Sequence, residues 1–142
     1  MASVTDFPAR GRITAVSGGI VTFAPIGTNY ELYLSAAPEF AGAVGALVAA
    51  IIRVKGRRLW SIPSGGNFIA PIFGPPKTIQ GRVRYADNDQ IVVHAGTPIV
   101  VSLPTADAAF DLNNGGIGVG SLVNVVAFAG GQIELLPEPV AQ

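Results

Sequence analysis

The chain has 142 residues, enough for one ordinary domain or two very small ones. Hydrophobic residues make up 49% of it and charged residues only 13%, against about 25% in an average soluble domain, so material for a core is plentiful and a densely charged surface is excluded. Nine basic residues balance nine acidic ones and there is no cysteine, which argues against generic polyanion binding and excludes disulfides, thiol nucleophiles and cysteine-ligated metal.

The opening MASVTDFPARGR lacks the apolar run of a secretory signal. Residues 10–27 are apolar and β-branched on both sides of Ser17-Gly18-Gly19, which predicts strand, tight turn, strand. Residues 29–36 alternate, with Tyr30, Leu32 and Leu34 on one face and Glu31, Tyr33 and Ser35 on the other. The Ala- and Gly-rich stretch 37–45 predicts a short helical turn or loop, and two further strands are expected around Lys55-Gly56-Arg57. The longest uncharged apolar run, residues 40–52, falls short of the roughly 20 residues a membrane-spanning helix needs. The expectation is a protein without a membrane span, cytoplasmic or part of a particle assembled in the cytoplasm.

Residues 64–77, SGGNFIAPIFGPPK, are bounded by Gly and Pro yet carry Phe68, Ile69, Ile72 and Phe73. A flexible tether would not hold four large hydrophobes. This predicts an ordered linker, at least partly buried, packed between two units or onto a partner chain. Beyond it come strand, turn at Asp87-Asn88-Asp89, strand, a third strand over 97–105, a connection over 106–118, and a final hairpin turning at Gly130-Gly131.

The two halves echo one another. Arg10-Gly11-Arg12-Ile13 matches Gln80-Gly81-Arg82-Val83, Phe40 matches Phe110, Val44-Gly45-Ala46-Leu47-Val48 matches Val119-Gly120-Ser121-Leu122-Val123, and residues 59–63 match 133–137. This predicts an internal repeat: a first small β-barrel unit at 1–63 and a second at 78–142, each ordered strand, strand, strand, connection, strand, strand. That order resembles the five-stranded OB-fold, and also SH3-like small barrels. The fold class expected is therefore all-β, two tandem five-stranded barrels, with one fused pseudo-two-fold barrel as the alternative. Alternation predicts a core of Ile13, Val21, Leu32, Leu34, Leu47, Val48, Ile51 and Leu59, with Val83, Val92, Val101, Leu103, Leu122, Val123 and Ile133 in the second unit.

Catalytic chemistry is sparse. The single histidine, His94, aligns with the strand residue Phe23 and has no second His for a metal pair. The Asp87-Asn88-Asp89 turn lacks the further oxygens and downstream Glu of a calcium loop, and Asn and Asp suit hairpin turns on backbone grounds alone. Asp107 and Asp111 read as solvated acids or a helix cap. The glycines of 115–120 precede a strand and no Lys-Ser/Thr, unlike a phosphate-binding loop. The expectation is no enzyme, no cofactor and no metal.

Two functions remain. A non-enzymatic structural protein that self-associates into a shell, filament or phage-particle component suits the low charge. Its candidate contacts are Phe68, Ile69, Ile72, Phe73, Arg57 and Arg58. Residues 1–63 hold six basic against three acidic residues, net +3, and residues 64–142 three against six, net −3, so the halves can meet within one chain or between chains, and self-association is expected to be directional and salt-sensitive. The alternative is an OB-type module binding single-stranded nucleic acid through Arg10, Arg12, Tyr30, Tyr33, Arg53, Lys55 and Trp60 on the first unit. It is the less favoured of the two, because Gly131, Gln132 and Glu134 stand where Arg57, Arg58 and Trp60 would recur. No residue pattern points to a carbohydrate or other small ligand.

Overall fold

A computed structural model describes residues 3–37, 40, 42–87, 89–103 and 117–136. The expected helical turn or loop at 37–45 falls partly, and Asn88, Asp107, Phe110, Asp111, Gly115 and Gly116 wholly, outside the described residues. Those described are all-β apart from a short 3-10 turn at Val4–Asp6. The strands are β1 (Ala9–Ser17), β2 (Ile20–Pro25), β3 (Glu31–Ala36), β4 (Leu47–Ser61), β5 (Phe68–Ala70), β6 (Phe73–Gly74), β7 (Thr78–Ala86), β8 (Gln90–His94), β9 (Pro98–Ser102), β10 (Leu122–Ala127) and β11 (Gln132–Leu135). They form one mixed sheet in the order β1-β2-β3-β11-β4-β10-β7-β8-β9, in which β5 also pairs with β7, β6 with β3, β1 with β4 and β4 with β9.

Two expectations are corrected here. Residues 47–61 are one strand of 15 residues, not two. Gly56 is not among the glycines with positive φ, so it does not turn the chain. Instead Val126 faces Arg58 and Ala127 faces Gly56, and Arg57 is the extra residue of a bulge, which bends a strand without ending it. The final hairpin is likewise not formed, because β4 lies between β10 and β11. The connector that was expected to turn instead bridges: the Phe128 N–H donates to the Lys55 carbonyl (2.9 Å), and the Gly131 carbonyl accepts from Ser35 (2.7 Å). The long β4 is thus the hub of the sheet. Its first part pairs with β1 and β11, its middle runs parallel to β9, and its last part pairs with β10.

The core is one large cluster and one small one. The large cluster joins Ile13, Val21, Phe23, Leu32 and Leu34 to Val83, Ile91, Val93, Val101 and Val123. The small one joins Val4, Ile51, Val92 and Val100, with Phe7 and Tyr85 packed against it. Most residues expected in the core are buried, and Val48, Leu59 and Leu103 pack against it partly buried. Leu47 is the exception, at 56% exposure. It pairs with Arg12, while its neighbour Val48 pairs with Gly11; adjacent strand residues point to opposite faces, and at this end of β4 only the Val48 side is packed against the core.

The Gly-Arg pairs have a local explanation. A Cβ on Gly11 would come within 2.8 Å of Pro25 Cα, and one on Gly81 within 2.7 Å of the His94 carbonyl carbon, so only glycine lets β1 approach β2 and β7 approach β8. The arginine that follows each glycine anchors a turn. Arg12 Nη1 donates to the Gly45 carbonyl and Arg82 Nη1 to the Gly120 carbonyl, both at 2.9 Å. Gly45 and Gly120 take φ of 90° and 93°, and their turns close through Ala46 N–H to Ala43 O (3.0 Å) and Ser121 N–H to Gly118 O (2.9 Å). Each strand also carries a register shift just beyond the arginine, between Ile13 and Ala15 and between Val83 and Tyr85.

The segment 64–77 contributes β5 and β6. Ile69 is buried at 1% exposure, whereas Phe68, Ile72 and Phe73 are exposed at 37%, 44% and 62%. The expectation that all four would be at least partly covered is corrected for these three: Phe68 flanks the inward Ile69 on a strand and so faces outward, and Phe73 pairs with the exposed Glu31 at the margin of β3.

Candidate interaction surfaces and grooves

The sequence candidates for nucleic-acid contact are spread over β1, β3, β4 and the residue before β3, and one of them is not at the surface. Tyr30 is buried at 8% exposure. Its hydroxyl donates to the Ala95 carbonyl (3.0 Å) and accepts from the Ile69 N–H (3.1 Å), so it is a structural tie. Tyr33 is exposed on the outer side of β3 opposite Thr22. Arg10 and Arg12 lie on β1, and Arg12 is engaged with Gly45. Arg53 and Lys55 sit mid-way along β4, and Trp60 near its end. Among the assembly candidates, Ile69 is in the core, Arg57 is at the bulge, and Arg58 lies over the Trp60 ring, 5.5 Å from its centroid. That geometry is a cation–π contact.

Pairing registers place Trp60 in a row that sequence reasoning did not find. Trp60 is opposite Asn124, Asn124 opposite Gln80, and Gln80 opposite Phe68. The next row runs Arg58, Val126, Thr78, Ala70. Cross-strand partners share a face, and the burial pattern agrees, since Ile69, Ile79 and Val125 between these positions are buried. The face therefore spans the end of β4, then β10, β7 and β5, with an aromatic ring at each margin and two amides between. Gln80 Nε2 donates to the Gly66 carbonyl (3.2 Å), which fixes the amide nearest Phe68. One end of the face is basic: Arg82 is opposite both Leu122 and His94, and Arg84 stands close enough to His94 to act on its charge. His94 titrates below its ordinary value, chiefly because burial penalises the imidazolium, and further because of Arg84.

A groove of about 540 Å³ opens between β3, β4 and β11. Phe40, Ile51 and Leu135 line its apolar side, and Arg53 and Glu134 pair across it at 3.5 Å. Arg53 and Gln132 also line a second hollow of about 170 Å³, with Lys55, Gln90 and Ser102. The volume is in the range of small-molecule sites, but the ion pair is long and largely solvated, and among the described residues neither hollow is lined by a histidine or by an acid other than Glu134.

At the β7–β8 turn, Asp87 titrates below the usual carboxylate value. Burial pushes it up, but this is outweighed by hydrogen bonds from the Asp89 and Gln90 N–H groups (2.8 and 2.9 Å) and from the Tyr85 hydroxyl (2.9 Å). The carboxylate is thus spent on its own turn. Among the described residues no three His, Asp or Glu side chains converge as a metal site, and no helix is long and apolar enough to cross a membrane. No family model matches the sequence, and no curated protein is similar to it.

Proposed function

We propose that the protein is a non-enzymatic structural component that associates with copies of itself, and that it is built of two equivalent small barrels which exchange their last strand. The repeat reading is supported by the matched Gly11/Gly81 contacts, the matched Arg12/Arg82 anchors and the matched register shifts. Exchange is supported by pairing: residues 56–61 run against β10, and β11 runs against residues 50–53.

The observation that carries self-association is the pair of anchored turns. Their tips are Val44 and Val119, exposed at 64% and 70%, at positions where polar residues are the rule. The first turn leads into the start of β4, and the second leads into β10, whose Val123 is opposite Ser61 at the end of β4. They are therefore separated by up to about 46 Å of strand. An anchored turn loses little entropy on docking, so two rigid apolar tips at opposite ends suit end-to-end contact, which builds rings or filaments.

Sedimentation velocity over a wide concentration range tests this. The wild type is expected to form species larger than a monomer, and Val44→Asp or Val119→Asp to shift the distribution towards monomer while leaving the melting temperature within a few degrees. A wild type that stays monomeric at high concentration refutes the reading.

A further inference from the structure

We infer that the face formed by the end of β4 with β10, β7 and β5 binds single-stranded nucleic acid, with Trp60 and Phe68 as stacking platforms. The inference stands apart from self-association and uses neither turn tip. Three steps between neighbouring strands put the two rings about 14 Å apart, joined by the Asn124 and Gln80 amides. Both rings are more than a third exposed although they stand in a sheet whose other surface is tightly packed. Arg58 lies over the indole, so a base can stack on the open ring face or on the guanidinium plane, and its cation meets the adjoining phosphate.

Charge decides the class of ligand. Arg58, Arg82 and Arg84 border the face, and the paired rows of β4, β10, β7 and β5 contain no Asp or Glu. Arg82 spends one donor on Gly120, but a guanidinium has five. A second copy docked face to face would set these arginines against each other, which disfavours self-pairing here. A neutral polysaccharide would use the rings and amides but would leave three cations unanswered. A polyanion with flat, stackable groups uses all of them. Stacking and phosphate contacts carry no base code, so the binding is sequence-tolerant.

Trp60 is the only tryptophan, so its fluorescence reports on the face directly. Titration with (dT)16 in 50 mM salt is expected to quench it saturably. Anisotropy of fluorescein-labelled (dT)16 should show affinity falling roughly 7- to 18-fold between 50 and 200 mM salt, as two or three phosphate contacts require. Trp60→Ala and Phe68→Ala should each weaken binding at least fivefold, Trp60→Phe should retain most of it, and Arg58→Ala should weaken it and flatten the salt dependence. Melting curves identify any variant that unfolds, and Trp60→Phe with Arg58→Ala carries the test if Phe68→Ala loosens β5. Four results would each overturn the inference: no binding at 100 μM protein in 50 mM salt; affinity unchanged in folded Trp60→Ala and Phe68→Ala; cellohexaose quenching Trp60 where (dT)16 does not, which would make the face a carbohydrate site; or Trp60→Ala reducing oligomer mass without affecting DNA binding, which would make it a contact between copies.

Discussion

Replacing Tyr30 by Phe isolates one oxygen atom that ties three parts of the chain. Thr28 positions the ring: its hydroxyl donates to the Pro25 carbonyl (2.8 Å) and accepts from the Tyr30 N–H (3.3 Å). The phenol then reaches the Ala95 carbonyl after β8 and the Ile69 N–H of β5. Ala95 is 0% and Ile69 1% exposed, so water does not replace the lost partner. Each stranded group costs about 1–3 kcal/mol, and the pair should destabilise the protein by about 3 kcal/mol. With a urea m-value of about 2 kcal/mol/M the midpoint should fall by about 1.5 M, and the melting temperature by about 6–12 °C. Hydrogen exchange adds a local readout, because the Ile69 amide should lose protection more than the amides of β1. Tyr33→Phe, on an exposed ring, should stay within about 0.5 kcal/mol of wild type. If Tyr30→Phe did the same, with Ile69 protection intact, the tie would not exist as described.

Gly81→Ala and Gly11→Ala should each destabilise by about 1–3 kcal/mol through overpacking, whereas Gly66→Ala, where an added Cβ meets nothing within 4 Å, should be neutral in the same urea titration; equal effects at all three would remove the close-approach explanation. His94 should titrate below about 6.5 by NMR. Because its folded pKa lies below the unfolded one, the associated stability is complete above about pH 6.5 and is lost as pH falls through the folded value. Arg84→Gln should move the midpoint back up, and a midpoint at or above 6.5 in the wild type would contradict the burial and charge around the ring.

Much of the fold was legible locally. Alternation placed Leu32 and Leu34 inside, Gly18-Gly19 and the Asp87 turn ended strands where expected, and the Gly-Arg pairs marked two strands with the same close approach. What failed was pairing at a distance. Lys55-Gly56-Arg57 has the composition of a turn, and only β10 running alongside shows that it is a bulge. Gly130-Gly131 has the composition of a hairpin turn, and only the intervening β4 shows that it is a bridge. For Tyr30, side-chain type suggested a stacking surface while its alternation with Leu32 and Leu34 pointed inward, and the pattern prevailed. Arg58 and Trp60 were visible as a basic-aromatic pair. Asn124 and Gln80 were not, because their neighbourhood depends on three strand registers that no window of sequence contains.

The opposite charges of the two halves take on a different meaning once the sheet is known. They were expected to meet either within one chain or between copies, and the ion pair between Arg53 and Glu134 joins β4 to β11 within one chain, where Gln132 is also opposite Arg53. At 3.5 Å and with both groups substantially exposed, such a pair contributes little to stability. Arg57 and Arg58 lie further along β4, where it contacts β10. Contact between copies through apolar groups such as Val44 and Val119, as proposed above, would strengthen or hold in salt, whereas the proposed nucleic-acid binding at the Trp60 face would weaken in it. The two proposed activities would then respond to ionic strength in opposite directions, and that difference would separate them in a single preparation.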